Sequence, residues 1–343
     1  MTQYEKILGA MIGAAIGDAM GAPLETRPPY LIKEELGNGE YVYDYIEMPY
    51  DAPQQNLPLG TVSDDFAISY LSLLEFIKAG GVTKKAATKA LLEFKNNEKY
   101  ATYFACVGPT TKVGIAKLEG AVLEKTPYDV LPVDNRTVTN GGAMKSWVCG
   151  LFNPGNIEKA IDDSIIMCKL SHDNVIALSG AASIAAATSV AMVEGSLLSE
   201  IIEAGIVGAR EGYKKAMYIA RKAAGASVEE RIKLAVQIGI KYSNDFEGCI
   251  NEMTDIIGTG LNANEAVPSA FGFLAAAGGD VMNSIYHAIN AGNDSDTTAI
   301  MVGAMAGAFK GANSIPEKHL SLLSSVNDMD IERVAREINE IIS

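Results

Sequence analysis

Apolar residues recur with a helical period along most of this chain, and nowhere do they alternate as a half-buried strand would require. Residues 3 to 22 are apolar nearly all round, which predicts a buried helix. Helical period returns at 65 to 79 and 84 to 97, divided by Gly80-Gly81, with Thr83 placed as an N-cap. A turn at Gly108-Pro109-Thr110-Thr111 precedes a short helix ending near Gly120. Loop is expected from there to Thr139-Asn140-Gly141-Gly142-Ala143-Met144, which opens a helix running through Trp147 to Gly150. Ala-rich helical segments follow at about 156 to 170, 173 to 193 and 197 to 224, then at 227 to 242, 247 to 257, 264 to 277 and 279 to 291. The run Ala299 to Phe309 and an amphipathic tail from about 329 to 342 complete the set.

This pattern predicts an all-α fold in a single domain over residues 1–343, without internal repeats. Residues 321–343 are expected to form a C-terminal packing helix. Residues 26–60 carry Pro28-Pro29, Pro49, Pro53 and Pro58 around an acidic, Tyr-rich stretch. A loop of that length inside a compact domain is usually functional, and a lid is expected.

Composition narrows the function. Glycine is abundant at 33 residues and aromatics are scarce at 7%, so small residues at helical spacing should let helices pack closely. The formal charge of −14 argues against nucleic acid and against an anionic membrane surface, both of which are bound through clustered Lys and Arg. Cys106, Cys149, Cys168 and Cys249 form no CxxC pair and read as buried residues of a reducing compartment, so a cytoplasmic location is expected. Three histidines are too few for a His-rich zinc site. The apolar run Ile7 to Ile16 is flanked by Glu5 and Asp18, which favours a buried helix over an export signal, and no run is expected to span a bilayer.

Acids and hydroxyls gather in three places, each at an expected helix terminus. They are Glu25, Ser63-Asp64-Asp65, and Asn293-Asp294-Ser295-Asp296-Thr297. Any one of them fits an ordinary helix cap or first turn. Together they are a different proposition, because five carboxylates brought to one place repel unless a positive charge lies between them. The chain offers no obvious Lys or Arg beside these stretches to neutralise them. Hard divalent cations that prefer oxygen, such as magnesium, manganese or calcium, suit the donor set.

Five motifs stand in a recognisable order: Gly17-Asp18-Ala19-Met20-Gly21 with Glu25, Ser63-Asp64-Asp65, Asn140-Gly141-Gly142-Ala143-Met144, Ser171-His172, and Asn293 to Thr297. In that order the chain resembles the ADP-ribosylglycohydrolases, over roughly residues 5 to 316. The resemblance implies a compact all-α fold with a centre of two divalent cations, Mg2+ or Mn2+, that holds a ribosyl substrate, most simply ADP-ribose on a modified group. By position it implies Ser63, Asp64, Asp65, Asp294, Asp296 and Thr297 as metal ligands. Glu25, Asp65 and Asp296 become the catalytic carboxylates, with Glu25 either a ligand or the base that handles water. Gly108, Thr110, Asn140, Gly141, Gly142, Ala143, Met144 and His172 become substrate-pocket residues. The two glycine-rich turns would offer backbone N–H groups to a diphosphate or ribose oxygen.

The chain departs from the family pattern at Ser63, where Thr is usual, at Phe66 after the paired acids, at Asn293 and Ser295, and at Lys145 and Trp147. If those changes flank the pocket, a smaller substrate such as a nucleoside competes with ADP-ribose. Isoprenoid synthases, also all-α with Asp-rich motifs, are a poorer match, since Ile68 and Met301 stand where an Asp and a Glu are needed. A non-catalytic ribosyl-binding relative is the third reading; it predicts ligand stabilisation without turnover.

Overall fold

The computed structural model describes residues 1–55, 57–122 and 133–343. The chain is all-α. Its helices are α1 (Gln3–Gly21), α2 (Asp64–Ala79), α3 (Lys84–Asn96), α4 (Ala101–Cys106), α5 (Pro109–Leu118) and α6 (Ala143–Leu151). There follow α7 (Ile157–Cys168), α8 (Val175–Ala191), α9 (Leu198–Ile219), α10 (Val228–Lys241) and α11 (Phe246–Glu252). Last come α12 (Ala263–Ala276), α13 (Val281–Asn290), α14 (Ser295–Lys310), α15 (Glu317–Val326) and α16 (Ile331–Ile342). Among the described residues no strand forms; the only β-type contacts are isolated bridges, such as Val133 with Lys222. Most of the loop expected between Gly120 and Thr139 lies outside the described residues, as does Asn56 within the 26–60 segment.

The helix pair α1 and α14 is the spine of the site. Gly9, Gly13, Gly17 and Gly21 repeat at a spacing of four and so lie on one face of α1. A Cβ on Gly13 would overlap Gly303 O, and one on Gly303 would overlap Gly13 O. The two backbones therefore touch, in antiparallel register: Gly9 opposes Gly307, Gly17 opposes Ala299, and Gly21 opposes Asp296. Only glycine permits this approach. Its consequence is that the C-terminus of α1 meets the N-terminus of α14, although the two ends are some 270 residues apart in the chain. Thr2 starts α1 with a capping box: Thr2 N donates to Glu5 Oε2 at 2.7 Å and Glu5 N to Thr2 Oγ1 at 3.2 Å. By length and composition Gln3–Leu24 would be able to cross a membrane, contrary to the expectation from sequence, but 94% of its apolar window is buried in the protein core.

Three expectations about elements need correction. The segment predicted as helix to residue 224 ends at Ile219, because Arg221 O and Lys222 O accept instead from Val175 N and Asp134 N at 3.0 and 2.8 Å. The C-terminal helix expected over 321–343 is two helices, α15 and α16. They part at Asn327, whose side chain accepts from Val62 N at 3.0 Å and donates to Gly60 O at 2.9 Å. The tail thereby secures the chain that leads into Ser63. Within 26–60, residues 29–36 form helical turns, and Val42 exchanges two 2.8 Å hydrogen bonds with the Asn290 side chain.

Candidate metal centre and cleft

Each of the three acidic stretches enters the site from a helix end. Ser63 caps α2, accepting from Asp65 N at 3.1 Å. Its N–H and hydroxyl both donate to the Asp18 carboxylate, at 2.5 Å each. Asp294 occupies the cap position of α14, yet its side chain makes no cap hydrogen bond. It accepts instead from Asn140 Nδ2 at 2.6 Å. A left-handed pair, Gly292 (φ 68°) and Asn293 (φ 59°), turns the chain just before it. Gly292 is obligatory there, since a Cβ would run into Arg27 O. Thr26 N donates to Asn293 O at 2.6 Å and Asn293 N to Arg27 O at 2.8 Å, which ties Glu25 to the same corner.

The result is two overlapping acid triads. Asp18, Asp65 and Asp296 each offer a carboxylate oxygen within 4.8 Å of the others, and so do Glu25, Asp294 and Asp296. Asp296 belongs to both. Thr297 Oγ1 donates to Asp65 Oδ2 at 2.6 Å. Among the described residues none of these carboxylates, nor Asp64 beside them, is in an ion pair with Lys or Arg. Burial, reinforced by mutual repulsion, pushes Asp18 and Asp64 up to about 7 and Glu25 up to about 8; Asp65, Asp294 and Asp296 are also raised. Buried carboxylates and a threonine hydroxyl make a donor set that fits hard divalent ions.

These groups line the floor of a cleft of about 160 Å³. Glu25, Asp64, Asp65, Asp294, Asp296 and Thr297 face it, as do Gly108, Thr110, Asn140, Gly141, Met144 and His172. Ser63, Gly142 and Ala143 do not; they stand behind the wall. Pro53 and Gln54 of the 26–60 segment also reach the cleft, and Arg27 pairs with Asp51 close to them.

Sequence reasoning gave no role to Asp18, a fully buried member of the first triad; its signal was a lone acid inside an apolar helix. Leu261, 61% exposed at the mouth, carried no signal at all. The departures at Phe66, Lys145 and Trp147 do not line the cleft itself. All three are buried, and Phe66 stacks on Trp147 at 6.4 Å between ring centroids, so this pair is one core feature beneath the site.

The fold and site define an all-α protein whose cleft is floored by buried carboxylates that pair with no Lys or Arg among the described residues. The particular family follows from comparison: the ADP-ribosylglycohydrolase model matches residues 1–342, and the chain belongs to that family. It is 28% identical over 340 residues to the uncharacterized protein YegU of Escherichia coli K12, covering 96% of this chain and 95% of that one. An uncharacterized protein of Archaeoglobus fulgidus is 26% identical over 322 residues, covering 92% and 90%. A solved structure, an ADP-ribosylglycohydrolase-related protein complex, shares the fold with a TM-score of 0.67 at 19% identity and 99% coverage of both chains. Family and fold together support a glycohydrolase.

Proposed function

We propose that this protein is a glycohydrolase that cleaves the bond at a ribosyl anomeric carbon, releasing ADP-ribose from a modified group with the help of two Mg2+ or Mn2+ ions. The observation that carries this reading is the pair of buried acid triads sharing Asp296, which pair with no Lys or Arg among the described residues. Asp18, Asp65 and Asp296 would hold one ion and Glu25, Asp294 and Asp296 the other, with Asp64 and Thr297 at hand. Ser63 acts through Asp18, to which it gives both its N–H and its hydroxyl. When bound, such ions supply Lewis acidity that grips ribose oxygens and lowers the pKa of a water.

The protein's own groups do the rest. Glu25, at the edge of the centre and facing the cleft, accepts the proton of the attacking water once its own proton has been displaced. Asp65 and Asp296 oppose the positive charge that develops on the sugar ring. Asn140 fixes the orientation of Asp294. Gly108 and Gly141 leave backbone close to the ligand, where N–H groups at the starts of α5 and α6 favour anionic oxygens.

The cleft's lining supports a second reading. With a ribosyl group over the acids, the rest of ADP-ribose would project through the mouth past Pro53, Gln54 and Leu261. A small nucleoside has no diphosphate arm to place there. Base or ADP-ribose release from ADP-ribosyl-arginine, ADP-ribosyl-serine and a nucleoside panel decides between them. Hydrolysis should stop with EDTA, return with Mg2+ or Mn2+, and be lost in Asp296→Ala; turnover that ignores chelator overturns the proposal.

A further inference from the structure

The wall of the cleft beside the acids includes Asn140, Gly141, Met144 of α6, and His172, which follows α7 next to Ser171. His172 is only 1% exposed, and its ring lines the cleft. Its Nδ1 lies 2.9 Å from Ser171 Oγ, while Nε2 has no hydrogen-bond partner among the described residues. A hydroxyl can donate or accept, so Ser171 alone leaves the ring's tautomer open. Lys145 closes the question. Its Nζ, fully buried, sits 2.6 Å from Gly141 O and 3.3 Å from Ser171 Oγ. A carbonyl only accepts, so one N–H goes to Gly141, and another is left for Ser171. With its oxygen accepting from Lys145 and no other acceptor for its hydroxyl among the described residues, Ser171 directs its own proton to His172 Nδ1. The ring's N–H is then on Nε2.

Gly141 is part of the same arrangement. A Cβ there would come within 2.8 Å of His172 Nε2 and 3.0 Å of Cε1, so only glycine leaves that edge of the ring in place while lending its carbonyl to Lys145. Burial, with the Lys145 charge nearby, holds His172 well below its ordinary pKa, so the ring stays neutral at physiological pH.

We propose that Lys145 is a positioning residue which, through Ser171, locks His172 as the Nε2–H tautomer, so that the cleft presents one neutral hydrogen-bond donor to an acceptor oxygen of a ribosyl ligand. The ligand half of this inference rests on the function proposed above; the tautomer half does not. In this form His172 Nε2 cannot accept a proton, so the ring is a ligand-binding donor and not the base.

The test is a long-range 1H–15N spectrum of the full-length protein with Mg2+. The chain has three histidines, and His172→Ala assigns the signal. Wild type should show the Nε2–H pattern; Lys145→Met and Ser171→Ala should lose it or mix it; Lys145→Arg should keep it. By calorimetry, His172→Ala should bind ADP-ribose roughly 10- to 100-fold more weakly, and Lys145→Met and Ser171→Ala about 3- to 10-fold. A loss confined to ADP-ribose and absent with adenosine assigns a phosphate oxygen as acceptor, and an equal loss with both assigns a ribose hydroxyl. An Nδ1–H pattern in wild type, unchanged tautomers in the variants, or unchanged affinity for both ligands overturns the proposal. If Lys145→Met fails to fold, Ser171→Ala carries the test alone. A purely structural Lys145 would lower the melting temperature without moving the tautomer. Absence of hydrolysis with an intact Nε2–H pattern would sink the glycohydrolase reading and leave the lock standing.

Discussion

Gly21→Ala is the most direct probe of how the site is assembled. The added Cβ would lie 2.5 Å from Asp296 Cα and 2.6 Å from Asp296 N, and both are backbone atoms that no rotamer change can move. An ordinary contact needs about 3.5 Å, so α1 and α14 must separate locally by roughly 1 Å. Overpacking of this kind costs about 1–3 kcal/mol, against which alanine's better helix propensity returns at most about 1 kcal/mol. For a domain of this size the net should lower Tm by several degrees, on the order of 2–4 °C per kcal/mol. The functional effect should be larger, since a displacement of about 1 Å at a reacting centre costs roughly 100-fold. Gly9→Ala is the control: it makes the same kind of backbone clash, against Gly307, but twelve residues away, about 18 Å along the helix. Calorimetric Mn2+ titration with parallel differential scanning fluorimetry should show both variants destabilised and only Gly21→Ala impaired in metal binding. Full metal affinity in Gly21→Ala would refute the idea that this approach positions Asp296.

The raised carboxyl pKa values give a signed pH dependence. Groups that titrate near 4 when unfolded hold protons up to about 7 (Asp18, Asp64) or about 8 (Glu25) when folded, so the metal-free protein should lose stability as pH rises through that window. Added Mg2+ or Mn2+ should raise Tm more at pH 8 than at pH 5.5, because it competes with those protons; an equal shift at both would contradict the assignment. Asp18→Asn, which mimics the protonated acid, should stabilise the metal-free protein at pH 8, have little effect at pH 5, and weaken metal binding by titration at either. Asp296→Asn removes the carboxylate common to both triads and should cut hydrolysis by roughly 10²–10³-fold while leaving the helical circular dichroism unchanged. Asn140→Ala frees Asp294 and should weaken metal binding; unaltered affinity would remove Asn140 from the support of the centre.

Much of the architecture was legible because helical periodicity survives in a buried all-α chain. Caps such as Thr83 and the glycine punctuation at Gly80-Gly81 placed the early helices well. What periodicity could not show is where a helix yields to a tertiary partner. Residues 220–222 leave α9 because Val175 and Asp134 claim their carbonyls, and the tail breaks at Asn327 because its amide bridges back to residues 60–62. Single-residue side-chain bridges of that kind leave no periodic trace. The site divides in the same way. Acids clustered at helix termini raised the expectation of a cation, and the cleft does gather Glu25, Asp64, Asp65, Asp294 and Asp296. Asp18 was hidden inside an apolar helix, and that Ser63 turns towards it and away from the cleft follows from the fold alone.

The arrangement of Asp294 bears on purpose as well as position. A residue at a helix cap position ordinarily accepts from the first-turn N–H groups, a contact worth about 1 kcal/mol. Asp294 makes no such bond; Asn140 holds its carboxylate among other acids, where burial raises its pKa. The same chain caps α10 with Ser227, α11 with Asp245 and α13 with Asp280 in the ordinary way, whereas Asp294, like Asn262 before α12, makes no cap hydrogen bond. At the start of α14 the cap is given up and a buried cluster of acids is kept. Neither choice favours the folded protein by itself, and both become favourable once positive charge is bound between the triads. That trade of a helix cap for a place among acids is what the proposed metal centre would ask of this helix start.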